Sequence, residues 1–205
     1  MRFLILFISI LFAYEANIVE VNRDTAKIDK YVKKGISAIV ICPYLNEEII
    51  CARAVSQGKS IKLEIYDNLK NPAFALPIVT PKKGDRVIFA KNYSRILIIA
   101  PDQDTYLKIK DCYKNATVIS PDLLAANIEK FDKSSIIDFA KRFDIGRIIF
   151  ALDRLYEVDA YSFYVIKSKD YKVPKYQKAF FTYFKKFDIK PFKWKIVNGK
   201  LIIKD

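Results

Sequence analysis

This 205-residue sequence predicts an α+β protein, β-rich in its N-terminal half. Three observations predict it. From Asn17 to Ala90, short apolar runs, several of them alternating, are separated by turn residues. From Arg95 the pattern changes to fully apolar strands followed by helix-start signals. Near the C-terminus, Asn198-Gly199 lies between two short apolar-rich runs, a strong hairpin signal.

Residues 1–13 read as a signal peptide. Met1-Arg2 supplies one positive charge, Phe3 to Phe12 is apolar except for Ser9, and Ala13 offers a small exit residue. A bilayer span takes about 20 apolar residues, so the segment is too short for a lasting anchor. The competing reading is a buried N-terminal strand. Export implies a periplasmic or cell-surface location, with no transmembrane segment after cleavage.

Residues 14–92 form the expected β-rich subdomain, a small antiparallel barrel or sandwich. Asn17 to Val21 alternates, Asn22-Arg23-Asp24 turns, and Ala26 to Asp29 follows. Gly35 opens an Ile- and Val-rich run to Cys42, Ile49 to Val55 returns, and Ile61 to Ile65 alternates with period two. Asn68 to Pro81 holds three prolines and reads as a loop before the strand Arg86 to Ala90.

Residues 93–166 form an α/β subdomain. Ile96 to Ala100 is an apolar strand, and Pro101-Asp102 starts a helix with Tyr106, Ile109 and Tyr113 on one face. Thr117 to Ile119 is a second strand, and Ser120-Pro121-Asp122 combines an N-cap, a first-turn Pro and a first-turn acid. The order implies a parallel βαβ unit. Ser135 and Asp138 begin another helix, and three strands in meander follow: Arg147 to Ala151, Leu155 to Val158 and Ser162 to Ile166.

Residues 167–205 form a basic aromatic segment, twelve Lys against three acidic residues within a chain of net charge +13. A helix is expected from Lys175 to Phe187, with Tyr176, Phe180, Tyr183, Phe184 and Phe187 on one stripe. Phe181 falls outside that stripe. The charge favours anionic envelope polymers or a lipid surface as partners. Export argues against nucleic acid.

Catalytic signatures are mostly absent. The chain has no His, no Gly-rich phosphate loop and no zinc-ligand spacing, so no cofactor and no metal are expected. Asp102, Asp104 and Asp122 lie beyond the ends of the two parallel strands, where carboxylates could hold Mg²⁺ or Ca²⁺ in a metal-dependent enzyme. The competing reading makes Asp102 and Asp122 helix-start residues. Cys42 and Cys51 flank a hairpin tip, either as a disulfide or as two small buried hydrophobes. Cys112 is left over.

Four segments carry a resemblance: Pro81 to Ile88, Ser94 to Pro101, Ser120 to Ala126 and Ala151 to Asp159. Through them, Asn17 to about Ile166 resembles the N-terminal domain of the bacterial plasminogen-binding protein PgbA family. The resemblance implies an exported, non-enzymatic, surface-associated protein that captures host plasminogen through lysines. In full-length members that capture is attributed largely to a longer lysine-rich C-terminal region. Kringle domains favour ligands presenting an ammonium and a carboxylate some distance apart. The lysines expected to serve here are Lys193, Lys195, Lys200 and Lys204, each as an ammonium donor to an acidic kringle pocket.

Overall fold

Alternation of small and large apolar residues closes the first half of the chain into a barrel. The computed structural model describes residues 14–66, 79–172, 181–183 and 193–204. Six strands, β1 (Tyr14–Asn22), β2 (Thr25–Ile28), β3 (Ser37–Tyr44), β4 (Glu47–Ser56), β5 (Ser60–Ile65) and β6 (Arg86–Phe89), pair in the order β1-β2-β5-β4-β3-β6. Every pairing is antiparallel and the ring is closed. So narrow a barrel has little interior space. Ala16, Ala26, Ala38, Ala52 and Ala54 therefore alternate with Ile18, Val40, Ile61, Val87 and Phe89 in its core.

The second half is a five-stranded mixed sheet in the order β11-β10-β9-β7-β8. Its strands are β7 (Arg95–Ile99), β8 (Thr117–Ile119), β9 (Arg147–Ala151), β10 (Leu155–Asp159) and β11 (Val165–Lys169). β7 runs parallel to β8 and β9, whereas β9, β10 and β11 form an antiparallel meander. Helix α1 (Gln103–Cys112) covers one face, its Tyr106 and Ile109 packing with Ile96, Ile98 and Ile149. Helices α2 (Pro121–Asn127) and α3 (Lys133–Arg142) cover the other, placing Leu124, Ile136 and Phe139 against Leu97, Ile99, Ile148 and Phe150. Both faces of β7 and β9 are covered, which explains why those strands are continuously apolar.

The helix starts follow capping chemistry. Asp102 accepts from Thr105 N at 2.8 Å, and Ser120 accepts from the Asp122 amide. The third helix begins earlier than its Ser135 signal suggested. Asp132 is the cap, accepting from Ser135 N at 2.9 Å. The third meander strand begins later, at Val165, because Asp159 to Phe163 forms a turn with Phe163 left-handed (φ 59°) and the Phe163 amide donating to Asp159 O.

The last two strands, β12 (Lys193–Val197) and β13 (Lys200–Lys204), form the hairpin that Asn198-Gly199 signals. Both turn residues have positive φ, 51° and 76°, the geometry of a type I′ turn. Val165 N donates to Gly199 O and Leu201 N to Phe163 O, so the hairpin docks beside the start of β11. The continuous helix expected over Lys175–Phe187 does not form, since Phe181–Tyr183 is not helical. Phe181 N instead donates to Ala100 O, and Tyr183 N to Asp122 Oδ1. The burial is also inverted: Phe181 packs on Tyr106, while Tyr183, assigned to the buried stripe, is 50% exposed. The other residues of that expected helix, and most of the expected Asn68 to Pro81 loop, lie outside the described residues, as does the leader.

Barrel and sheet meet at the end of β10. The fully buried Asp159 carboxylate accepts from Ser37 N (2.8 Å) and Tyr93 Oη (2.6 Å) through one oxygen. Its other oxygen accepts from Tyr161 N (3.1 Å) and Ser162 N (2.9 Å). Beside it Ser162 Oγ donates to Gly35 O at 2.5 Å. Gly35 has φ +90°, and a Cβ there would stand 2.1 Å from the Tyr164 ring, so a glycine is required at this crossing.

Replacing Asp159 by Ala strands four buried donors at once. We expect Asp159→Ala to lower the unfolding free energy by about 3–5 kcal/mol in urea titrations, as for breaking a buried charged network. A loss under about 1 kcal/mol would show that the junction does not depend on it.

Candidate binding surface on the C-terminal hairpin

In β12 the side chains alternate, and the register pairs Lys193 with Lys204, Lys195 with Ile202 and Val197 with Lys200. Trp194 pairs with Ile203 and Ile196 with Leu201 on the opposite face. That second face docks: Leu201 is fully buried, and Trp194 and Ile203 pack on the core of the mixed sheet. Trp194 stacks at an angle against Tyr156, with ring centroids 5.7 Å apart. Trp194 and Phe181 are both partly buried against the mixed sheet and its helices.

The docked face turns Lys193 and Lys195 to solvent, where both are exposed. Lys200 behaves differently. Its ammonium lies 4.8 Å from the centroid of the Tyr164 ring, opposite which it bridges, and it faces inward beside Lys133. Of Lys204 the described geometry is its backbone register opposite Lys193. The structure thus brings all four lysine positions onto one ladder, but the Lys200 ammonium turns over the Tyr164 ring.

The three aspartates proposed for a metal do separate work. Asp102 caps α1 through the Thr105 amide and hydroxyl, and Asp122 receives the Tyr183 amide. Asp104 stands exposed in the first turn of α1. Among the described residues these carboxylates form no cluster within ligand distance of one another.

Cys42 and Cys51 are joined as a disulfide with Cα atoms 5.7 Å apart. A bulge makes the pairing geometrically possible. Val40 pairs with Ala52 but Ile41 pairs with Ile50, leaving Cys51 as the extra residue of β4. Its side chain can then approach Cys42, which lies in the barrel core. Asp85, also buried, accepts from Lys82 N at 2.7 Å beside the bridge. Cys112 is a free, exposed thiol.

Sequence reasoning missed Asp159, Arg53, Lys133 and the Tyr161–Tyr164 turn. Of these, only Asp159-Ala160-Tyr161-Ser162 carried a local signal, since an Asp readily accepts from amides two and three residues on. The others come together from distant elements. Among the described residues no helix is long and apolar enough to cross a membrane.

Barrel, mixed sheet and lysine-bearing hairpin define a basic α+β protein. The family model described as plasminogen-binding protein pgbA N-terminal matches residues 13–202, and the chain belongs to that family. Similar proteins include the plasminogen-binding protein PgbA of Helicobacter pylori strain J99, 26% identical over 88 residues, and that of strain 26695, 25% identical over the same length. Each match covers 43% of this chain but only 20% of the relative. No solved structure matches significantly.

The single Trp makes hairpin docking observable. Burial first, then Asp153, pushes the Tyr156 phenol up to about 12. Below the ordinary phenol value near 10.0 both docked and undocked states hold the proton. Above it the undocked state releases its proton first, so docking weakens as pH rises. Trp194 emission should hold its neutral-pH value through pH 10.0 and change with a midpoint near 12, a step absent in Tyr156→Phe. A midpoint near 10.0 would show an unburied phenol. Alkylation supplies a second check: the native chain should take one alkyl group, on Cys112, and all 3 Cys should react after reduction and unfolding. For a bridge spanning a sequence separation of 9, reduction should cost about 2–3 kcal/mol of stability.

Proposed function

We propose that this chain is an exported, non-catalytic envelope module that binds host plasminogen through lysines of its C-terminal hairpin. The observation that carries the reading is the exposed Lys193–Lys195 pair, held outward by docking of Trp194, Leu201 and Ile203. Family membership across residues 13–202 and the name of the two relatives support the choice of partner. A kringle pocket is acidic and accepts an ammonium, so solvated lysines on a docked ladder are suitable donors. Lys204 adjoins the ladder in register opposite Lys193 and completes the proposed set. Lys200 contributes less, because its ammonium already rests on Tyr164. The location that follows is the periplasm or the cell surface.

Binding to immobilised plasminogen, with and without a lysine analogue, tests this. The analogue should release the protein, and Lys193→Gln/Lys195→Gln should weaken retention at least about fivefold, the effect of roughly 1 kcal/mol. Retention that ignores the analogue but vanishes between low and physiological salt would instead favour an anionic glycan or lipid partner.

A further inference from the structure

Between the barrel and the mixed sheet lies a cleft of about 450 Å³, lined by six Lys, one Arg and a single carboxylate, Glu64. Its floor is built. Arg53, 8% exposed on β4, is sandwiched between the Tyr66 and Tyr161 rings, at 4.9 and 4.7 Å from their centroids. Glu64 stands opposite Arg53 in the β4–β5 ladder. Asp159 lies beneath the floor, but four hydrogen bonds occupy its oxygens, all of them from the lining residues Ser37, Tyr93, Tyr161 and Ser162. Asp144 meets the lining Asn92 at the rim, at 3.5 Å.

Two ammonium groups face the cleft together from different elements. Lys133, the first residue of α3, lies 5.5 Å from the Phe163 ring centroid, and Lys200 of β13 lies over Tyr164. Neither has a carboxylate partner among the described residues. Burial and the neighbouring Lys200 charge make Lys133 less basic than an ordinary lysine. Like charges gathered at a half-enclosed surface destabilise the fold unless an anion relieves them.

We infer that this cleft is a binding site for a small molecule carrying clustered phosphate groups, independent of the lysine ladder proposed for plasminogen. The volume suits a ligand of that size. Lys133, Lys200 and Lys91 would meet the phosphate oxygens as ammonium donors, with the Arg53–Tyr161 stack forming the wall. The same chemistry is presented by a free phosphorylated molecule and by a phospholipid headgroup, so the test carries both probes.

Calorimetric titration with inorganic pyrophosphate should give saturable binding of one ligand per chain. Lys91→Gln/Lys133→Gln should weaken it at least tenfold. Lys108→Gln/Lys110→Gln, which removes the same charge from α1 far from the cleft, should leave it unchanged. An undiminished melting temperature and unchanged Trp194 emission would confirm that the first variant is folded, and Lys91→Gln alone provides a milder exposed change with the same expected direction. Binding confined to phosphatidylglycerol vesicles, and lost in Lys91→Gln/Lys133→Gln, also supports the site and assigns the phosphate to a headgroup. Binding to neither probe, or equal binding by both double variants, overturns it.

Discussion

A carboxylate without solvent holds this molecule together. A buried charge costs several kcal/mol unless hydrogen bonds replace its hydration, and Asp159 is tolerated because donors approach both of its oxygens. Those donors come from separate places: the first residue of β3, a tyrosine between the lobes, and the turn after β10. Satisfying the charge therefore fixes the barrel against the sheet. Gly35 O then accepts from Ser162 Oγ at a crossing where a Cβ on residue 35 would collide with the Tyr164 ring.

The same logic continues into the sheet. Tyr93 O accepts from Arg147 Nε at 2.7 Å, and Arg147 pairs with Glu157 at 3.0 Å with both side chains largely buried. Glu157 in turn accepts from Tyr113 Oη at 2.9 Å, at the end of α1. Burial, then Glu157, pushes the Tyr113 phenol well above its ordinary value, as burial and Asp159 do for Tyr93. A satisfied polar chain thus runs from the barrel edge to the first helix. Such networks favour one arrangement over near alternatives because a half-satisfied version is costly.

How much of this could be read in the sequence follows from the range of each interaction. Capping at Ser120, the Asn198-Gly199 turn, and the switch from alternating to continuous apolar strands depend on neighbouring residues, and the strand order of the βαβ unit follows from them. Where a local pattern was outweighed, tertiary packing supplied the reason. The stripe through Tyr183 and Phe184 suggested a helix, but Phe181 N pairs with Ala100 O beside β7 and its ring lies on Tyr106. The barrel was one of two antiparallel options because closure depends on the β1–β6 pairing, between residues 69 or more apart in the chain, which periodicity does not encode. The cleft was invisible for the same reason: Arg53, Lys133 and Lys200 belong to three elements with no common motif.

Charge on the hairpin is held in place by packing rather than by pairing. Lysines directly opposite one another in a ladder cost roughly 0.2–1 kcal/mol. Burial of a Leu or similar side chain contributes about 1.5–3 kcal/mol, and Leu201, Trp194 and Ile203 all dock on the sheet. Packing wins, so the docked face holds Lys193 and Lys195 outward. The turn at Asn198-Gly199 then decides how the lysines are divided. By starting β13 beside Tyr164, it carries Lys200 over the ring and into the cleft while Lys193 and Lys195 remain in water. One short basic segment therefore charges two surfaces, and the division is made by a two-residue turn rather than by the spacing of the lysines.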